Sequence, residues 1–308
     1  MTQHRVLLAI KYPLTKRIFI LLALCAALPA AAAATDLKPE TATAFQHYVD
    51  LTETRMAGER DDSQRFLYFD SLPENQRQVM LELLHNGQII VQPLRTMENG
   101  QSIEIPGGMV HQWLAIGFMP GATLQQARAL AQDYPRQEQI YASDVQKVRV
   151  LSHDCQQYIV DFRFYRQAIL TVVYNTEFSV AHFEPATARA YTVARATRIA
   201  EVENPGKPDE SEYPVGNDHG YTWRLNLYTR YEEKDGGVYM PGRAPRVKPP
   251  RPGTFCLARE SLRPLNPPRL SDEFLRLHTQ SLFAATGAGQ INKSIPASKI
   301  RTPNLLVV

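Results

Sequence analysis

The spacing of apolar residues changes twice along the chain, from a helical rhythm to a two-residue alternation and then to a proline-punctuated tract. After residue 35 the first rhythm is helical. Phe45, Tyr48, Val49 and Met56 fall on one stripe of residues 39–59, with Gly58 marking the end. Residues 66–69 read as a short strand. Residues 72–84 return to helix, with Pro73 in the first turn and Gly87 as the stop. Residues 88–92 and 113–118 are apolar extended runs. Residues 124–132 form a helix with Thr123 as N-cap, ending before Tyr134-Pro135.

The second rhythm begins at Tyr158. Tyr158, Val160, Phe162 and Phe164 alternate with Ile159, Asp161 and Arg163, which places aromatic and branched side chains on one face of a strand. Arg166-Gln167 is a tight link. Extended character resumes over 169–174, 176–182 and 195–203, and a loop rich in Pro, Gly and Asp covers 204–220. The longest strand spans 221–232. Tyr221, Trp223, Leu225, Leu227 and Tyr231 share one face of it, and Thr222, Arg224, Asn226, Tyr228 and Arg230 share the other. Asp235-Gly236-Gly237 is a hairpin signal, and Val238, Tyr239 and Met240 begin the return strand.

The third region opens at Pro241. Eight prolines between 241 and 268 remove backbone donors, so the strand is expected to stop at Met240 and an extended Pro/Arg-rich linker to run over 241–269. Residues 270–287 read as a further helix, with Ser271 at the N-cap, Asp272 and Glu273 in the first turn, and Phe274, Leu277 and Leu282 on its apolar side. Residues 288–308 are a disordered tail. The abrupt change after 240 has two readings, a genuine basic tail or a frameshift in the gene.

The N-terminus carries an export pattern. Arg5, Lys11, Lys16 and Arg17 precede an apolar run from 18 to 28, and Pro29 with the alanines to position 34 supplies small residues for cleavage. Residues 1–34 are therefore read as a signal peptide cut near Ala33 or Ala34, against the alternative of an uncleaved anchor. This makes the protein periplasmic or secreted, with membrane contact only through the signal segment. The net charge of +3 includes those four basic residues, so the mature chain is near neutral, which argues against nucleic acid as a partner. Cys25 leaves with the signal, and Cys155 and Cys256 remain to pair or stay free.

Motif chemistry adds little. The sequence holds no H-E-x-x-H, C-x-x-C, G-x-S-x-G, phosphate-binding loop or dinucleotide fingerprint, so no catalytic residue, metal ligand or cofactor is assigned. His153-Asp154 reads as a turn, His111, His182, His219 and His278 as isolated, and Glu201 with Glu203 as exposed on one strand face.

Several segments carry a resemblance. PGATLQQARALAQDY at 120–134, the tract 140–150, YIVDFRFYRQAILTVVYNTEF, RATRIAEVE and GYTWRLNLYTRYEEKDGGVYM together resemble the START-like (SRPBCC) helix-grip superfamily, most nearly its exported bacterial branch. The likeness covers about 37–240 and rests on strand order. It implies an α+β fold in which a curved antiparallel sheet packs on a long C-terminal helix, with an apolar cavity between sheet and helix; to this the chain's own pattern adds N-terminal helices and a Pro-rich C-terminal tail, which departs from the family pattern after Met240. The side chains expected to line that cavity or plug it are Trp223, Tyr228, Tyr174, Tyr158, Phe162 and Phe178. Arg163, Arg224 and Arg230 recur on strand faces, and Arg224 is carried as the one that would meet a ligand head group. The function implied is an exported, non-catalytic binder of a lipid or other apolar small molecule. The alternatives are a cyclase- or hydrolase-like enzyme using the same cavity, and a frameshifted, non-functional relative.

Overall fold

The computed structural model describes residues 35–167 and 171–249. The signal segment, the 270–287 helix, the 288–308 tail, His278 and Cys256 all lie outside the described residues.

Strand β1 (Thr35–Asp36) leads into helix α1 (Pro39–Asp61), a 3-10 turn (Tyr68–Ser71) and helix α2 (Glu74–His85). Then come β2 (Ile90–Leu94), β3 (Met97–Glu98), β4 (Gln101–Ser102), β5 (Met109–Pro120), α3 (Leu124–Gln132) and α4 (Tyr134–Ile140). A long meander follows, with β6 (Val145–Asp154), β7 (Gln157–Gln167), β8 (Thr171–Ala186) and β9 (Arg189–Glu203). The short strands β10 (Ser211–Glu212) and β11 (Asn217–Asp218) precede the final hairpin of β12 (Arg224–Lys234) and β13 (Gly237–Lys248).

One antiparallel sheet runs β2-β5-β13-β12-β9-β8-β7-β6, and β10 pairs with β9. Register shifts interrupt β6–β7 at 145/147 and 150/152, and β8–β9 at 177/178 and 183/186. Such shifts bend a strand and increase its twist, which curves a sheet this wide. The fold is thus the expected α+β arrangement of a large antiparallel sheet packed with helices.

Both faces of the sheet centre are covered. On one face α3 and α4 bury Leu124, Ala127, Leu130 and Tyr134 against Val160, Phe178, Val180, Tyr231 and Met240. On the other, α2 and the 3-10 turn bury Met80, Leu84 and Phe69 against Leu114, Ile116, Phe118 and Tyr239. Alternate residues of β5 therefore serve different cores, and for this reason residues 113–118 read as a continuous apolar run without alternation.

Helix α1 lies on that second face with a mostly polar contact. Phe45 and Val49 meet Trp223 and Val247, but beyond them Thr52 bonds Thr96 at 2.6 Å, and Glu59 reaches Arg230 at 3.2 Å and Arg243 at 2.8 Å. The helix passes Gly58 and ends at Asp61, because a Cβ-free residue with open space around it carries no stop signal unless its backbone turns left-handed. Residues 66–69 are likewise no strand. The Asp70 carboxylate accepts from the Leu67 N–H at 2.8 Å, closing the local turn that becomes the 3-10 segment.

The largest departure concerns the prolines. Strand β13 does not end at Met240 but runs to Lys248 through Pro241 and Pro245. Its ladder with β5 is unbroken over all 12 residues, from Gly237–Pro120 to Lys248–Met109. Its ladder with β12 skips the two positions between Glu232–Tyr239 and Thr229–Gly242, and again the two between Tyr228–Arg243 and Leu225–Arg246. Pro241 and Pro245 share parity, so both missing N–H groups face β12 while every donor toward β5 is kept. Strand β13 thus continues eight residues past the point where the sequence pattern changes.

The β12–β13 turn follows its sequence signal. Asp235 and Gly236 take φ of 55° and 77°, the primed-turn geometry that matches strand twist. Gly237 is required for a second reason: a Cβ there would lie 2.4 Å from the Met119 carbonyl oxygen on β5.

Candidate functional site

The face of the sheet toward α3 and α4 encloses a cavity of about 110 Å³. It is built by alternation. Phe162 and Phe164 on β7, Phe178, Val180 and His182 on β8, Thr192 and Ala194 on β9, and Leu227, Thr229 and Tyr231 on β12 each project inward from every second position. Met240 and Gly242 on β13 continue the pattern, and Ala131, Tyr134 and Gln137 on α3 and α4 close the opposite side.

The helices owe their position to local capping. Thr123 Oγ1 accepts from the Gln126 N–H, and Gln126 Oε1 accepts from the Thr123 N–H at 2.9 Å, a capping box. Glu233 accepts from the Leu124 N–H at 2.6 Å, placing a carboxylate at the positive end of α3. Tyr134-Pro135 does end α3, but the same residues start α4, with Asp133 as N-cap accepting from the Arg136 N–H and Pro135 in the first turn. The D-Y-P signal was present in the sequence, and through it Tyr134 reaches the cavity.

One wall is aromatic. Phe162 and Phe164 stack with centroids 5.4 Å apart, and Phe178 stands edge-on to both at 5.8 and 6.3 Å. The other wall carries a polar seam. The Tyr134 hydroxyl lies 3.1 Å from His182 Nε2, His182 Nδ1 lies 2.9 Å from Thr192 Oγ1, and the Tyr231 phenol sits against the hydroxyls of Thr192 and Thr229. Burial, with a smaller push from Arg128, lowers His182 to about 4, so the ring is neutral at neutral pH. Burial likewise pushes Tyr134 upward and Tyr231 up to about 12, and holds Tyr141 well above its ordinary value.

The residues singled out from sequence divide sharply. Phe162 and Phe178 line the cavity. Tyr158 stands beside it, packed between His153 at 4.1 Å and Tyr134 at 5.0 Å. Tyr228 touches the cavity's margin, but its hydroxyl crosses to α1 and donates to Glu53 at 2.6 Å, so its ring belongs to the other face. Trp223 precedes β12 and packs with Phe45, Val49 and Val247. Tyr174 lies four residues before Phe178 and beyond the β8–β9 register shift, where its buried hydroxyl neighbours Glu201 and Asp218. Arg224 donates to the Trp223 carbonyl at 3.1 Å and is not at the cavity. Arg163 pairs with Glu210 at 2.9 Å, and Arg230 is buried against α1, donating to the Phe66 and Met56 carbonyls.

Three further readings change. His182 and His219 are not isolated: His182 sits in the polar seam, and His219 Nδ1 lies 2.6 Å from Glu201. Glu201 is not exposed but 95% covered, held above its ordinary range by burial and tied to the His219 N–H as well. Strand alternation alone predicts the pairing of neither, because both partners come from distant segments. His153 and Asp154 are not in a turn but are the last two residues of β6, paired with Tyr158 and Gln157, and the turn begins at Cys155, exposed with φ of 49°. Among the described residues no cluster of His, Cys, Asp or Glu has the geometry to hold a metal, and no helix is long and apolar enough to cross a membrane.

The chain matches no family model and no curated protein sequence. It is similar to several solved structures. Human STARD10 is 9% identical, with 71% of this chain and 82% of that one covered and a TM-score of 0.39. A START superfamily protein from Mycobacterium smegmatis is 10% identical over 59% and 97%, with a TM-score of 0.32. A STAR-related lipid transfer protein from Xanthomonas axonopodis is 11% identical over 52% and 85%, with a TM-score of 0.33.

Proposed function

We propose that this protein is exported and binds a small, mostly apolar molecule, or one chain of a lipid, in the cavity between α3–α4 and the sheet. The observation that carries this reading is a hollow of about 110 Å³ walled by Phe162, Phe164, Phe178, Leu227 and Met240 where packed side chains would otherwise meet. Interiors are close-packed, and an apolar hollow in one gains by accepting an apolar guest. The volume is smaller than the roughly 300 Å³ and upward of pockets that bury drug-sized ligands. A compact guest or a single acyl segment fits that size better than a whole phospholipid.

An enzymatic reading has one observation in its favour, the presence of His182 in the cavity wall with a strongly displaced pKa. The displacement runs the wrong way for a general base. A proton acceptor of about 4 is mostly a hydrogen-bonding group at neutral pH, and both ring nitrogens are already engaged. Binding without transformation accounts better for a satisfied, neutral imidazole. Export is supported by the basic, apolar and small-residue order of residues 1–34.

Native mass spectrometry of the protein purified without detergent, combined with a thermal-shift screen of apolar compounds, tests the reading. A retained small molecule or a ligand-dependent rise in Tm is expected. An empty protein unmoved by every apolar class would reject it.

A further inference from the structure

We infer that the occupant of the cavity is an uncharged molecule bearing one terminal hydroxyl or carbonyl, held at the seam formed by Tyr134, His182 and Thr192. The inference rests on the cavity being a binding site and names the class of ligand it selects.

The seam is a relay whose free donor depends on the tautomer of His182. When His182 carries its proton on Nε2, it donates to the Tyr134 oxygen, which frees the tyrosine hydrogen; Nδ1 then accepts from the Thr192 hydroxyl. In the other tautomer Tyr134 donates to Nε2, Nδ1–H donates to Thr192, and the threonine hydrogen turns to the Tyr231 oxygen beside it. The first arrangement offers the cavity a spare O–H donor, and both offer spare oxygen lone pairs. A hydroxyl or carbonyl completes that set with a shift of protons and no shift of atoms.

The seam offers nothing to a formal charge. The cations and anions nearest the cavity are committed elsewhere. Arg128 is paired with Glu184. Arg243 also lines the cavity, but its partner across the ladder is Leu114 on the α2 face, and its Nη2 turns there to Glu59 at 2.8 Å. Glu138 accepts from the Val148 N–H at 2.7 Å. A carboxylate or ammonium brought among Phe162, Phe178, Leu227 and Met240 would lose its hydration with no counter-charge to replace it. Neutral ligands with a polar end are therefore favoured over their ionised counterparts of equal length.

The test is an NMR titration at pH 7 of protein carrying labelled methionine methyls, using hexan-1-ol, hexanoate and hexylammonium as probes. Met240 lines the cavity, so contacts between its methyl and the probe report binding there. Hexan-1-ol is expected to contact Met240 and to bind about tenfold or more tightly than either ion, the discrimination typical of an unpaired charge or a lost buried hydrogen bond. Thr192→Val is expected to weaken hexan-1-ol by about fivefold, the value of one hydrogen bond, without changing the weak binding of the ions. If hexanoate or hexylammonium contacts Met240 with comparable affinity, the selectivity is overturned while the cavity reading stands. If no probe contacts Met240, both are overturned.

Discussion

The Tyr134 hydroxyl and His182 Nε2 lie 3.1 Å apart, joining α4 to β8 across 48 residues of sequence. The burial that this docking imposes on His182 creates a pH dependence. The folded protein holds His182 at about 4, below its ordinary 6.5, so the unfolded chain takes up the proton first as pH falls. The contribution is complete above about pH 6.5 and is lost progressively toward pH 4, amounting to up to about 3 kcal/mol. Urea denaturation at pH 7 and at pH 4.5 should show the fall, and His182→Gln should remove the corresponding part of it. A titration of the imidazole proton with a midpoint near 6.5 would contradict the assignment.

Glu59 is the shared partner of two guanidinium groups, Arg230 and Arg243, each 5% exposed. Burial lowers both, Arg230 to about 10, and the carboxylate opposes that shift. Glu59→Ala leaves two buried cations facing each other, and a loss of about 3 kcal/mol is expected in chemical denaturation. Replacing Arg230 and Arg243 together with Glu59 by apolar residues should cost less than the single change.

Gly237→Ala should destabilise the protein by about 2 kcal/mol, the cost typical of overpacking, because the new methyl meets the Met119 carbonyl oxygen at 2.4 Å, a backbone atom. Gly236→Ala strains the turn by a separate route, its φ of 77°, and has open space around it. Comparing the two in calorimetry separates crowding from backbone strain.

Phe178, 2% exposed, forms the edge-on partner of two stacked rings. Phe178→Ala should lower stability by about 3–4 kcal/mol and enlarge the hollow. A larger apolar guest that does not shift the Tm of the parent protein should then raise the Tm of the variant.

Expression in a bacterial host should yield a chain beginning at Ala34 or Thr35, as read by N-terminal sequencing. Recovery of the intact Met1 form in the membrane fraction would favour the anchor alternative.

Much of the architecture was legible because it depends on period and punctuation. The alternation from Tyr158 to Phe164, the Thr123 cap and the Asp235-Gly236 turn each carry their geometry locally. The sides of the sheet were legible as groups but not as inside and outside: Leu225, Leu227 and Tyr231 were set apart from Tyr228, yet nothing in parity says which set meets α3 and α4. The polar seam was hidden for another reason. Tyr134 and His182 are chosen for each other by the docking of α4 on the sheet, a contact no nearby residue announces. Strand β13 was misread because prolines were counted without regard to which neighbour each nitrogen faces.

That last point has a consequence for how the strand tolerates change. The spacing of four between Pro241 and Pro245 keeps both blanks on one edge, so the strand is deaf toward β12 at two places and fully spoken toward β5. Adding one ring a residue out of step, as in Gly242→Pro or Ala244→Pro, would silence the opposite edge and unzip the seam with β5, although the proline content of the segment would rise by only one.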